Sequence, residues 1–132
     1  MSIMKLLCVA VLLALASCAP RVSQDAAEFR KLFVSSNTKL TGKASWYDVR
    51  HDGRRTASGI PLDDRKLTAA HKTLPFGTKV LVRCRETGAT VTVTITDRGP
   101  YIKGRVIDLS RAAAHKLGII TKGLTQVDLC PM

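Results

Sequence analysis

The run Thr90-Val91-Thr92-Val93-Thr94-Ile95-Thr96, continuing into Asp97-Arg98-Gly99-Pro100, sets the architecture of the chain. Threonine alternates strictly with Val91, Val93 and Ile95. That two-residue period belongs to a strand whose three apolar side chains share a buried face while the threonines share the other. Just upstream, Val80-Leu81-Val82-Arg83-Cys84 half-alternates, and Glu86-Thr87-Gly88 turns the chain. The two runs read as a hairpin.

Working outward, Val106-Ile107-Asp108-Leu109 and Gln126-Val127-Asp128-Leu129-Cys130 are further strand candidates. Between them Ser110 is placed to accept from the free amides of a first helical turn, ahead of Arg111-Ala112-Ala113-Ala114-His115-Lys116-Leu117. The alanines favour helix, Lys116 suits the negative end, and Gly118 suits a left-handed cap. Strands this short at this spacing predict a mainly β chain with one or two short helices, built as a small barrel or sandwich.

The chain has 132 residues, enough for one domain, and at 45% hydrophobic it can bury a core. Its formal charge of +11 points to a polyanionic partner: nucleic acid, anionic lipid or an acidic wall polymer. Single-stranded nucleic acid needs stacking aromatics among the basic residues, and this chain has one Trp, two Tyr and three Phe. Two of those phenylalanines, Phe29 and Phe33, fall in the polar leader of the chain, so nucleic acid is not the expected partner.

Lys5 precedes a continuous apolar run from Leu6 to Ala16, too short to span a bilayer and suited to the core of a secretory signal. It stops at Leu15-Ala16-Ser17-Cys18, which resembles a bacterial lipobox, in which Cys18 is acylated and becomes the new N-terminus. An ordinary signal with an incidental cysteine is the alternative. The expected organisation is a signal peptide over 1–17, a tether over 18–40 with a short amphipathic stretch at Phe29, Leu32 and Phe33, and a folded domain over 41–132. Losing 1–17 removes one lysine and no acid, leaving about +10. Several acyl chains on Cys18 hold a protein stably on a membrane where one does not. Ala19 after the cysteine, rather than Asp, favours the inner leaflet of the outer membrane, facing the periplasm.

Export also changes how the cysteines read. Cys84 and Cys130 remain in an oxidising compartment as candidates for one disulfide, with two buried thiols as the alternative. The sequence has no CxxC, and its three histidines lack metal-ligand spacing, so no metal or cofactor is expected.

Five separated blocks carry a resemblance. They are Gly42-Lys43-Ala44-Ser45-Trp46-Tyr47, Arg55-Thr56-Ala57-Ser58-Gly59, Leu67 to Thr78 with Ala69-Ala70-His71-Lys72-Thr73-Leu74-Pro75-Phe76-Gly77, Thr96-Asp97-Arg98-Gly99-Pro100-Tyr101, and Gly104-Arg105-Val106-Ile107-Asp108-Leu109-Ser110-Arg111-Ala112-Ala113-Ala114. In this order they resemble the rare lipoprotein A family over about residues 40–130. The resemblance implies a six-stranded double-psi β-barrel that cleaves the MurNAc–GlcNAc bonds of peptidoglycan glycan strands by lytic transglycosylation, leaving anhydro-MurNAc ends. It implies Asp97 and His71 as catalytic residues and Tyr47, Ser58, Asp63 and Arg98 as substrate contacts. A monomer is expected.

The chemistry is consistent with a single carboxyl group. Ordinary glycosidases need two because nucleophile or base is a second residue. Here the sugar supplies its own 6-hydroxyl, so Asp97 is expected to act as acid and then as base. A close guanidinium would hold such a group ionised, so Arg98 is expected to turn away, towards substrate or a structural carboxylate. Strand alternation puts Ser45 and Tyr47 on one side and Ala44 and Trp46 on the other, with Tyr47 assigned to the groove and Trp46 to packing.

Three departures from the family pattern matter. Where the family carries glutamate after Thr-Ala-Ser-Gly, this chain has Ile60, which transfers no proton. The alternative function is therefore a catalytically weak or inactive, lipid-anchored peptidoglycan-binding protein. Asp48 stands where the family usually has glycine, offering a carboxylate beside Tyr47. The sequence ends at Met132 without the peptidoglycan-binding SPOR domain of many relatives, so a preference for stripped glycan or the division site is not carried over.

Overall fold

The computed structural model describes residues 40–132; the signal, Cys18 and nearly all of the tether lie outside the described residues. Six strands form it: β1 (Leu40–Trp46), β2 (Thr68–Ala70), β3 (Lys79–Cys84), β4 (Thr90–Asp97), β5 (Arg105–Leu109) and β6 (Thr125–Pro131). They close into one barrel in the order β1-β5-β2-β4-β3-β6. Two neighbouring pairs, β1 with β5 and β2 with β4, run parallel, and the rest are antiparallel. This is the double-psi barrel the resemblance implied.

The expected hairpin is β3–β4, with Val80 opposite Val93 and Val82 opposite Val91. Its turn is closed by Gly88 N–H on the Cys84 carbonyl at 2.8 Å, Gly88 taking a positive φ. Val91, Val93 and Ile95 are all at most 2% exposed. They meet Val80, Val82, Ile107, Leu109, Val127 and Leu129 inside the barrel. Burying each such side chain stabilises the fold by about 1.5–3 kcal/mol relative to leaving it in water.

The helix α1 (Arg111–Leu117) is capped as its sequence suggests: the Ser110 hydroxyl accepts from Ala113 N–H, and Gly118 is left-handed at φ 80. Ser110 also donates to the Lys66 carbonyl at 2.6 Å, tying the helix start to the approach of β2. Ala113, Ala114 and Leu117 face the core.

Gly42 is required by close approach. A β-carbon there would lie 2.4 Å from a Val106 methyl and 3.2 Å from the Gly104 carbonyl, at the seam where parallel β1 meets β5.

The expected disulfide is corrected. Cys84 and Cys130 are both buried thiols, not joined. Cys84 pairs with Val127, and Cys130 pairs with Leu81, so they sit three positions apart on adjacent strands. That is about 10 Å along the strand and on opposite faces, beyond the reach of a disulfide. The Cys84 sulfur instead lies 3.4 Å from the Thr125 hydroxyl.

Candidate active site

Four strands bring one polar row to the outside of the barrel. Ser45 on β1 pairs with Asp108 on β5, Asp108 pairs with Ala70 on β2, and Ala70 pairs with Asp97 on β4. Ala44, Ile107, Leu109 and Ala69, beside the first three of these in sequence, are buried, and the register shift after Ala69 brings Asp97 rather than Thr96 opposite Ala70. Ala70 is the small spacer between the two carboxyl-bearing positions, whose α-carbons are two strand spacings apart, about 10 Å.

Asp97 ends β4 and is held by three donors. Its Oδ1 accepts from Ala57 N–H and Arg98 N–H, each at 2.8 Å, and its Oδ2 accepts from the Tyr47 hydroxyl at 2.7 Å. Backbone amides and a phenol therefore fix both oxygens, and Oδ2 keeps a lone-pair direction for a further donor. The Tyr47 hydroxyl meets Asp97, while Trp46 packs against the core. Burial, the bond to Asp97 and the charges of Asp97 and Asp108 all push the Tyr47 hydroxyl far above its usual range, so it remains a donor. The His51 ring lies 5.8 Å from the Tyr47 ring, a neighbour that no motif marks.

Asp108 is the principal residue missed by sequence reasoning, which used it only as part of a strand. Burial pushes its carboxyl above the usual range, the hydrogen bond from the Ser45 hydroxyl and the charge of Arg105 oppose this, and the charge of Asp97 adds to it. A carboxyl among apolar alternating residues, between Ile107 and Leu109, was the available signal.

His71 directly follows β2 and is buried. Its Nδ1 accepts from Thr73 N–H and Leu74 N–H, both at 3.1 Å, which places the proton of the neutral ring on Nε2. Burial, Arg98 and Lys72 lower its pKa, so the neutral form dominates. Its link to Asp97 is through the backbone, His71 N–H to the Asp97 carbonyl at 3.2 Å. The imidazole thus shapes the 71–74 turn, and no contact between the ring and the Asp97 carboxylate is present.

Arg98 does turn away from Asp97, but to neither destination expected. Its guanidinium donates to the carbonyls of Leu74 at 2.7 Å and His71 at 3.1 Å, and lies 4.0 Å over the Phe76 ring. It braces the loop between β2 and β3.

Ser58 lies one residue from the amide that holds Asp97. Its N–H donates to the Thr96 carbonyl, and its hydroxyl pairs with that of Thr56 at 2.9 Å. Asp63 is elsewhere: it pairs with Arg65 at 3.2 Å, whose amide and guanidinium hold its carboxyl below the usual range. With Ile60 it lines a separate open cleft of about 850 Å³ that Asp97, His71 and Tyr47 do not line. Asp48 caps the short 3-10 turn Val49–His51 and is ion-paired with Arg50 at 2.7 Å. That pairing keeps it ionised and removes it as a substitute proton donor.

A family model described as lytic transglycolase, of the double-psi β-barrel type, matches residues 39–129. The chain belongs to the lytic transglycolase family. Within it, the chain is 52% identical over 88 residues to a probable endolytic peptidoglycan transglycosylase RlpA of Synechocystis sp., covering 67% of this chain and 27% of that one. It is 49% identical over 85 residues to the protein of the same name from Aquifex aeolicus, covering 64% and 38% respectively. The chain therefore spans about a third of the length of these curated relatives. Among solved structures, the Streptomyces papain inhibitor superposes with a TM-score of 0.60 at 27% identity, over 74% of this chain and 97% of that one. An expansin of Clavibacter michiganensis gives 0.56 at 23% identity, over 72% and 50%, a likeness of fold alone.

Proposed function

We propose that this protein cleaves MurNAc–GlcNAc bonds of peptidoglycan glycan strands by lytic transglycosylation, with two carboxyl groups dividing the proton transfers. The observation that carries this is the Asp97–Ala70–Asp108 row, with one carboxylate fixed by three donors and the other pushed towards its protonated form. A carboxyl whose burial favours its protonated form is suited to act as the acid.

In this reading the Asp108 carboxyl gives its proton to the glycosidic oxygen as the C1–O4 bond breaks. The 6-hydroxyl of the same MurNAc bonds to C1 and its proton passes to Asp97. The products are an anhydro-MurNAc end and a GlcNAc 4-hydroxyl, with no water consumed. Asp97 ends protonated and Asp108 ionised, and proton exchange with solvent resets both. Tyr47 holds Asp97 in place, and His71 and Arg98 hold the flanking loop.

The names of the relatives support the substrate class, and the basic charge suits an acidic wall polymer. Ile60 lines the open cleft with Asp63, and this reading assigns it no proton transfer. Attachment through acylated Cys18 to the inner leaflet of the outer membrane, ahead of a tether over 18–40, completes the proposal and rests on the leader sequence. Incubation of the purified chain with isolated sacculi tests the activity. Release of anhydro-muropeptides that disappears with Asp97→Asn and with Asp108→Asn is expected; sedimentation with sacculi and no soluble product would leave only wall binding.

A further inference from the structure

Tyr101, in the middle of the loop over 98–104, has no role in the reaction above. That loop starts and ends on the two strands that carry the carboxyl groups. It leaves β4 directly after Asp97 and enters β5 at Arg105, three residues before Asp108. β2 lies between those strands and ends at Ala70, opposite Asp97, so the loop crosses the end of β2 beside the carboxyl row. Both of its feet are pinned. At one, Arg98 donates to the carbonyls of His71 and Leu74. At the other, Lys43 N–H donates to the Gly104 carbonyl at 2.9 Å, and Arg105 N–H donates to the Ile102 carbonyl at 3.1 Å.

The ring itself is held on one side only. Gly99 and Pro100 before it are buried, while Tyr101 is 78% exposed. A β-carbon on Gly99 would lie 3.8 and 3.9 Å from two ring carbons of Tyr101, so the ring rests along that backbone with the remainder in water. The other tryptophan, tyrosine and phenylalanine rings of the described residues are engaged. Trp46 packs against the core, Tyr47 bonds Asp97, and Phe76 lies under the Arg98 guanidinium. Among the described residues the Tyr101 ring has no ring or cation partner, and its hydroxyl has no hydrogen bond.

A pyranose ring carries axial C–H bonds on its faces and hydroxyls around its edge. Its face is apolar and weakly positive, so it lies well against the negative face of an aromatic ring while the hydroxyls stay in water. Four residues separate Tyr101 from Asp97, at most about 14 Å of chain, a span that a short run of sugars covers. We propose that Tyr101 is a stacking platform for a saccharide ring of the bound glycan, next to the rings whose bond is cut. The assignment rests on the glycan-cleavage reading, which supplies the ligand class. Tyr101 and the neighbouring exposed Ile102 are too small a patch for a stable protein interface, which takes about 800 Å² from each partner.

The test is calorimetric titration of the full chain carrying Asp97→Asn, which holds glycan uncut, with peptide-free glycan strands. Adding Tyr101→Ala is expected to weaken binding roughly fivefold, and adding Tyr101→Phe, which keeps the ring face, to leave it unchanged. With Asp97 intact, Tyr101→Ala should raise KM by a similar factor and change kcat less, with Tm unaltered. The proposal is overturned if the glycan does not bind, if Tyr101→Ala binds it as the parent does, or if Tyr101→Phe loses as much as alanine. Sedimentation with phosphatidylglycerol vesicles that depends on Tyr101, while glycan binding does not, would make the loop a membrane contact and also overturn it. Glycan binding that depends on Tyr101 in a wild-type chain that cuts nothing would support the platform and refute the cleavage reading.

Discussion

Removing a single oxygen atom, with Tyr47→Phe, is expected to slow glycan cleavage while leaving the fold intact. The hydroxyl donates to Asp97 Oδ2 at 2.7 Å, one of three bonds that fix the carboxylate. A hydrogen bond to a charged group contributes about 1.5–3 kcal/mol. If that is expressed wholly in the transition state, at about 1.36 kcal/mol per tenfold, the rate falls roughly 10- to 150-fold. Ala57 and Arg98 amides still hold Oδ1, so residual activity should exceed that of Asp97→Asn. The ring itself stays in place beside His51, so substrate affinity should change little. The assay is the initial rate of anhydro-muropeptide release from sacculi over a range of substrate, with thermal unfolding followed in parallel. A variant with wild-type kcat would refute the positioning role. A variant whose rate falls only in step with a lowered Tm would reduce Tyr47 to a structural residue.

Other consequences follow from the same geometry. Asp108 has a folded pKa raised above its unfolded value, so the fold favours its protonated form and loses that advantage as pH rises through the raised value. Asp108→Asn should therefore abolish cleavage yet raise Tm at neutral pH, with the gain vanishing in acid, as calorimetry across pH would record. Ser45→Ala removes a bond that lowers the Asp108 pKa, so the alkaline limb of the pH–rate profile should move to higher pH. His71 is the opposite case: its folded pKa is depressed, so its contribution to stability is full above about pH 6.5 and falls as the pH drops below it. His71→Asn, whose side-chain oxygen can accept from the Thr73 and Leu74 amides in place of Nδ1, should keep the turn and flatten the Tm profile between pH 5 and 7. Gly42→Ala should destabilise by about 1–3 kcal/mol through overpacking against Val106, and Val106→Ala should restore part of the loss in denaturant titrations.

Local patterns made much of the barrel legible. The β3–β4 hairpin follows from alternation and a glycine turn, and α1 from a serine cap, alanines and a glycine stop, all within a few residues of one another. β2 escaped because three residues, Thr68–Ala70, carry no period. Its position nevertheless creates the site, since it alone places Ala70 between Asp97 and Asp108. Parallel pairing across a closed barrel has no local signature, so Asp108 read as a strand residue with no partner. The same limit explains Arg98, whose acceptors are main-chain carbonyls 24 and 27 residues away. It also explains Cys84 and Cys130: strand membership was readable, but the register that puts them on opposite faces was not.

Glycan cleavage in heavy-oxygen water addresses the division of labour between Asp97 and Asp108 most directly, because ring closure by the sugar's own hydroxyl excludes solvent oxygen from the product. Mass spectrometry of wild-type digests should show anhydro ends without the label, and none from either asparagine variant. Labelled reducing ends, or undiminished anhydro product from Asp108→Asn, would contradict the account.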